Sequence, residues 1–139
     1  MWYNRVMRTT RKKLHGTVII PPHINVWEHE IKTAQALAAA GYAVKFIPKE
    51  LGMRVKSADV MVDDMKFEMK APKSARLSAV ERNLKRAYHQ STNIIFDSRR
   101  IKNLSDRVIE KELRKQSNLT KKIKCLLFVN RSGSVLIIK

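Results

Sequence analysis

In a chain of 139 residues with 29 Lys+Arg and only 12 Asp+Glu, the few carboxylates are the residues to place first. Asp59, Glu68 and Lys70 lie close in sequence, the last two separated by a single methionine. Successive side chains of a strand alternate between its faces, so Lys66, Glu68 and Lys70 project together while Phe67 and Met69 face the other way. A two-residue turn at Asp63-Asp64 would set Val62 opposite Met65 and Asp59 opposite Glu68. Directly opposed side chains have Cβ atoms about 5 Å apart, and like charges there repel. Two opposed carboxylates therefore point to a metal ion between them, with Asp59 and Glu68 supplying oxygen ligands. A hard divalent ion so held, Mg²⁺ with Mn²⁺ or Zn²⁺ as substitutes, would bind a phosphate oxygen and lower the pKa of bound water. Lys70 would orient that water or neutralise charge developing on the phosphate.

Glu30 is the next acid to place. On a helical projection of about 100° per residue, Val26, Trp27, Ile31, Ala34, Leu37 and Ala38 fall on one side. Glu30 lies inside that arc, whereas Glu28 and Lys32 point away from it. An inward carboxylate is costly unless a cation or hydrogen-bond donors neutralise it. Trp27, on the same stripe, is expected in the core. Asp63 and Asp64 are expected as turn residues, and Cys125, in Cys125-Leu126-Leu127-Phe128-Val129, as a small core residue.

The elements that must position these residues alternate in type. Thr17 to Ile20 is a short β-branched run stopped by Pro21-Pro22. Asn25 is the expected N-cap of a helix running to about Ala40, with Gly41 as its stop. Ala43 to Ile47 is an expected strand, and Ala58 to Val62 with Lys66 to Lys70 an expected hairpin. A helix is expected from Ser78 to Ser91, a strand over Asn93 to Phe96 and a third helix from Asn103 to Lys115. Ile123 to Val129 and Val135 to Ile138 complete the pattern as a hairpin around Arg131-Ser132-Gly133. Helices interleaved with strands imply a single α/β domain, a mixed β-sheet flanked by helices. Its expected span is residues 17–139, behind a basic N-terminal extension of residues 1–16 that carries Arg5, Arg8, Arg11, Lys12 and Lys13.

Composition narrows the partner. The formal net charge is +17 and 44% of residues are hydrophobic, which excludes a disordered basic tail and implies a core under a cationic surface. One cysteine forms no internal disulfide, and no apolar run approaches the roughly 20 residues that span a bilayer. Met1 to Arg5 leads into charge rather than an apolar segment, so secretion is not expected. An anionic membrane surface would call for a basic amphipathic helix or a lipidation motif, and the basic residues are instead spread over every segment. Nucleic acid is the expected polyanion.

The order of these residues, Glu30 on a first helix, then Asp59, then Glu68-Met69-Lys70, resembles the PD-(D/E)XK nuclease superfamily. Three stretches are similar to the C-terminal tRNase toxin domain of CdiA-type contact-dependent inhibition proteins. They are Glu28-His29-Glu30-Ile31 to Gly41-Tyr42, Ser57-Ala58-Asp59-Val60 to Glu68-Met69-Lys70, and Gln90-Ser91-Thr92 to Phe96-Asp97. The resemblance spans residues about 25–130 and implies a restriction-endonuclease-like core and a metal-dependent RNase that cuts tRNA. It implies catalytic roles for Glu30, Asp59, Glu68 and Lys70, with Asp59, Glu68 and Glu30 as metal ligands and Gln90 as an accessory residue on the following helix. It also implies a cognate immunity protein, for which an acidic inhibitor would suit the +17 surface. Ala58 stands where the pattern has proline. The same residues would serve a structure-specific DNA endonuclease, and a catalytically silent nucleic-acid-binding protein would keep the fold. Expected phosphate contacts are Lys66, Lys73, Arg82, Lys85, Arg86, Arg99 and Arg100, with His23 and His29 as surface or RNA-contacting groups. The cytoplasm, where tRNA is found, is the expected site of action.

Overall fold

The computed structural model describes residues 16–48 and 60–139. The expected basic extension therefore lies outside the described residues except for Gly16. That residue already packs against the domain, donating its N–H to the Ala38 carbonyl. Any Cβ at position 16 would run into the Tyr42 carbonyl.

The first strand, β1 (Thr17–Ile19), leads into helix α1 (Glu28–Ala39). The helix begins later than Asn25 because Trp27 is its N-cap, with an extended backbone at φ −69 and ψ 148. Glu30, three residues on, reaches back so that its carboxylate accepts the Trp27 N–H at 3.0 Å. Glu28 and Glu30 both sit in the first turn, where the helix dipole favours negative charge. Gly41 ends the element at φ 101, a conformation that costs glycine little. Placing Trp27 at the cap takes it off the helical stripe. It is 70% exposed, not in the core as its hydrophobicity suggested.

Strand β2 (Ala43–Phe46) is followed by the hairpin of β3 (Val60–Val62) and β4 (Met65–Lys70). The hairpin has the expected register, Val60 opposite Phe67, Met61 opposite Lys66 and Val62 opposite Met65. Asp63 and Asp64 form its turn in the left-handed region, at φ 47 and φ 69. A tight hairpin turn of this kind prefers glycine. Aspartate tolerates it here because Asp63 Oδ1 accepts the Ala43 N–H and the Asp63 N–H donates to the Ala43 carbonyl, both at 2.9 Å. Asp59 lies outside the described residues.

Helix α2 (Ser78–Tyr88), strand β5 (Asn93–Asp97), helix α3 (Asp106–Asn118) and the pair β6 (Cys125–Val129) and β7 (Val135–Ile137) complete the chain. Ser105 caps α3, its side chain accepting the Val108 N–H, while Asn103, the expected start, is held at φ 69 in the preceding turn. The strands of the described residues lie side by side in sequence order. β1 and β2 are parallel, β3 and β4 turn antiparallel, and β4, β5 and β6 are parallel before β7 closes the edge.

Alternation along the strands separates two cores. Val44, Phe46, Phe67, Met69, Ile95 and Leu127 pack with Ala34 and Leu37 of α1 on one face. Ile94, Phe96, Leu126 and Phe128 pack with Leu84 of α2 and Leu113 of α3 on the other. Each large apolar side chain buried this way contributes about 1.5–3 kcal/mol, which is what clamps the helices to the sheet. The result is a single mixed α/β domain, as expected. Among the described residues no helix is long and apolar enough to cross a membrane.

Candidate active site

Glu68 and Lys70 stand as the strand period predicts. Phe67 and Met69 enter the α1 core, while Glu68 aligns with Ile94 and Lys70 with Phe96, both in the core of the other face. Glu68 is only 4% exposed, and the Lys70 ammonium lies 3.5 Å from its Oε2. A carboxylate buried this deeply is tolerable because the Lys70 ammonium stands beside it. Lys66, earlier on the same strand, is exposed. Its carbonyl accepts hydrogen bonds from Ser91 Oγ at 3.1 Å and Asn93 Nδ2 at 3.0 Å, tying the start of β4 to the start of β5.

The other expected members are placed differently. Glu30 is half-buried in the first turn of α1, its carboxylate engaged at the cap. Because α1 packs on the Phe67–Met69 face, Glu30 and Glu68 sit on elements of opposite layers. Gln90 is not on a helix. It follows the C-cap His89, its N–H donating to the Ala87 carbonyl at 2.9 Å, in the turn before β5. Among the described residues no three His, Cys, Asp or Glu side chains are grouped to hold a metal ion. The expected metal set includes Asp59, which lies outside them. Glu68 offers the hard oxygen donors that a divalent cation prefers, whereas Glu30, at the α1 cap on the other side of the sheet, does not reach it.

A cleft of about 510 Å³ opens where the first turn of α1, the segment after β4 and the end of β5 meet. His29, Lys73, Asp97, Arg99 and Arg100 are among the residues that line it. Asp97 is 3% exposed and fully engaged. Thr33 of α1 donates its hydroxyl to Asp97 Oδ2 at 2.6 Å, and Arg99 grips the carboxylate through Nε at 3.1 Å to Oδ1 and Nη2 at 2.8 Å to Oδ2. At the rim Lys32 pairs with Glu28 at 3.4 Å. Lys73 and Arg100 have no ion-pair partner among the described residues, so the cleft carries uncompensated positive charge. Burial, and then the nearby Arg100 guanidinium, hold the His29 imidazole below its ordinary pKa, although Glu30 and Asp97 pull it upward. The His29 ring lies nearly parallel to the Trp27 indole, centroids 6.3 Å apart at 19°.

Of the expected phosphate contacts, then, Lys73, Arg99 and Arg100 converge on one cleft. Arg82, Lys85 and Arg86 occupy the outer face of α2 in the other layer, with Arg82 bound to Ser78 and Lys85 to Glu81. Sequence reasoning missed the buried Thr33–Asp97 junction and the exposed Trp27. A signal for the second was present, since Glu30 stands three residues after Trp27, the position from which an acid caps a helix whose N-cap is residue 27.

The whole-chain comparisons agree with this architecture. The solved structure of a CdiA-CT/CdiI toxin and immunity complex from Burkholderia pseudomallei shares the fold at a TM-score of 0.61, with 21% identity over 91% of this chain and 98% of that one. No curated protein matches the sequence. Residues 56–135, more than half the chain, match the family described as the contact-dependent growth inhibition CdiA C-terminal domain. That stretch contains β3, β4 with Glu68 and Lys70, and the cleft residues Lys73, Asp97, Arg99 and Arg100, and by it the chain belongs to the CdiA C-terminal domain family.

Proposed function

We propose that this chain is a toxin-type endoribonuclease that hydrolyses phosphodiester bonds in tRNA, using a PD-(D/E)XK arrangement and a divalent metal, with Mg²⁺ as the ion. The observation that carries the reading is the Glu68–Lys70 pair, one pleat apart on β4 and 3.5 Å from each other, in a chain of net charge +17. Asp59 and Glu68 would hold the ion, which when bound would polarise the phosphate and make water nucleophilic near neutral pH, while Glu30 stays at the α1 cap on the other side of the sheet. Lys70 places a positive charge where the phosphate develops negative charge, and its pairing with Glu68 fixes the ammonium in position. Lys73 and Arg100 bind the flanking backbone, and Arg99, held by Asp97, shapes the wall of their cleft. An acidic immunity protein is the expected partner, drawn in by charge complementarity, and the cytoplasm is the site of action.

Incubating the protein with total tRNA and with duplex DNA, each in Mg²⁺ or EDTA, tests this directly. EDTA-sensitive cleavage of tRNA at one mapped position, with DNA intact, is the expected result. Preferential cutting of DNA would make the chain a DNA endonuclease of the same fold. Salt-sensitive binding with no cleavage in any metal would make it a binding protein and overturn the enzymatic reading.

A further inference from the structure

An exposed tryptophan is rare on a surface that gains nothing from it, because the indole leaves a large apolar area in water. Trp27 is not loosely displayed. Its N–H is bound by the Glu30 carboxylate and its carbonyl accepts the N–H groups of Glu30 and Ile31, each at 3.0 Å, so the backbone that carries the indole is fixed. Trp27 is 70% exposed, and its ring lies nearly parallel to that of His29, which itself lines the cleft containing Lys73 and Arg100. Through His29 the aromatic pair adjoins a cleft of about 510 Å³ whose lining includes two cations without ion-pair partners among the described residues. Pockets of about 300–1,000 Å³ accommodate ligands the size of a nucleotide.

We propose that Trp27 and His29 form a stacking platform for one unpaired base of the RNA, whose phosphate is held in the cleft by Lys73 and Arg100. This rests on the reading of RNA as substrate and specifies its class: an unpaired loop or end rather than a duplex. Bases inside a duplex are stacked on one another and offer no free face, whereas an unpaired base can be splayed onto an aromatic side chain. Arg99 serves the same end indirectly. Asp97 holds its guanidinium, so Arg99 shapes the cleft wall while Lys73 and Arg100 supply its unneutralised charge.

The test uses the full chain in EDTA, carrying Trp2→Phe so that fluorescence reports Trp27. The probes are a single-stranded oligoribonucleotide and a duplex of the same sequence. Single-stranded RNA should quench the emission. Measured by gel mobility shift of labelled RNA, since these variants lack the reporter, Trp27→Ala should weaken single-strand binding about 10-fold and duplex binding less than about 2-fold, with Trp27→Phe retaining most of the affinity. Lys73→Ala and Arg100→Ala should weaken both, each reducing the slope of log affinity against log salt on the single strand by about 0.7. A circular-dichroism melt confirms that each variant is folded. Equal losses on both RNAs, or none, for Trp27→Ala would overturn the platform. So would a Trp27→Ala protein that binds RNA normally but no longer binds an acidic inhibitor, which would make Trp27 a protein contact. Metal-dependent cleavage of tRNA by the unmodified chain, measured separately, decides the nuclease reading whichever way the platform falls.

Discussion

Thr33 on α1 donates its hydroxyl to the carboxylate of Asp97 at the end of β5, a 2.6 Å bond between residues 64 positions apart. Both residues are nearly inaccessible, at 2% and 3% exposure. The bond ties the second turn of α1 to the strand end that precedes Arg99 and Arg100. Thr33→Val keeps the shape and removes the donor from a charged acceptor. It should lower stability by about 1.5–3 kcal/mol, whereas Thr33→Ser should stay within about 1 kcal/mol. Urea unfolding checks this, and the midpoint should move with little change in slope.

The β3–β4 turn offers the opposite sign. Asp64 sits at φ 69, where a side chain pays a conformational penalty that glycine avoids. Asp64→Gly should stabilise the chain by about 0.5–1 kcal/mol, because the turn then has the residue it prefers. Asp63→Gly should not, since it deletes the carboxylate that accepts the Ala43 N–H. Thermal melts of the two variants, run together, should shift in opposite directions.

Part of this geometry is written in the sequence itself. The hairpin was legible because its register depends on a local turn and a two-residue period, and both are written in consecutive residues. Glu68 and Lys70 followed from the same period. The end of α2 was not legible, because its apolar stripe continues to Ser91. There the serine is taken up by other bonds, donating to the Lys66 carbonyl and accepting the Asn93 N–H, and the helix stops at Tyr88. That is why Gln90 leaves the helix. Trp27 was misplaced because hydrophobicity put it on a helical wheel that it precedes. The Thr33–Asp97 bond joins residues with no local pattern between them, so nothing in a single sequence marks it.

Cys125 gives a prediction in pH. Burial raises its thiol above the ordinary value of 9.0, and burial likewise raises the Tyr42 hydroxyl above 10.0. The thiolate is the reactive form, so alkylation by iodoacetamide at pH 8 should be much slower in the folded chain than in urea. The stability effect has a definite sign. Above pH 9 the unfolded chain loses the Cys125 proton before the folded chain does, so folding stability should fall as pH rises through that range. Read as the difference between the parent and Cys125→Ala, which removes the thiol, the decline from pH 8.5 to 10 should be steeper in the parent, and equal slopes would contradict the assignment.

The strongest demand falls on Glu68 and Lys70. Glu68→Gln preserves side-chain size and removes the charge proposed to hold the metal. Lys70→Ala removes the ammonium 3.5 Å from that carboxylate. Each should lower tRNA cleavage by about 100- to 1,000-fold, the usual loss when one charge-stabilising group is removed. Binding separates the two variants. Without metal, Glu68→Gln should bind RNA as well as the parent or better, because a negative charge near phosphate is gone, while Lys70→Ala should bind slightly less well. Stability separates them again. Glu68 is 4% exposed, so Lys70→Ala takes a cation from beside a buried carboxylate and should destabilise by about 1–3 kcal/mol, given the partial exposure of Lys70. Cleavage is therefore compared well below the melting transition of each variant. Lys66→Ala provides the internal control, since Lys66 shares the strand face but is exposed and nearer the turn. It should reduce cleavage by less than about 10-fold, as expected for the loss of one phosphate contact. Near-normal cleavage by Glu68→Gln, or equal losses from all three variants, would remove β4 from the catalytic site.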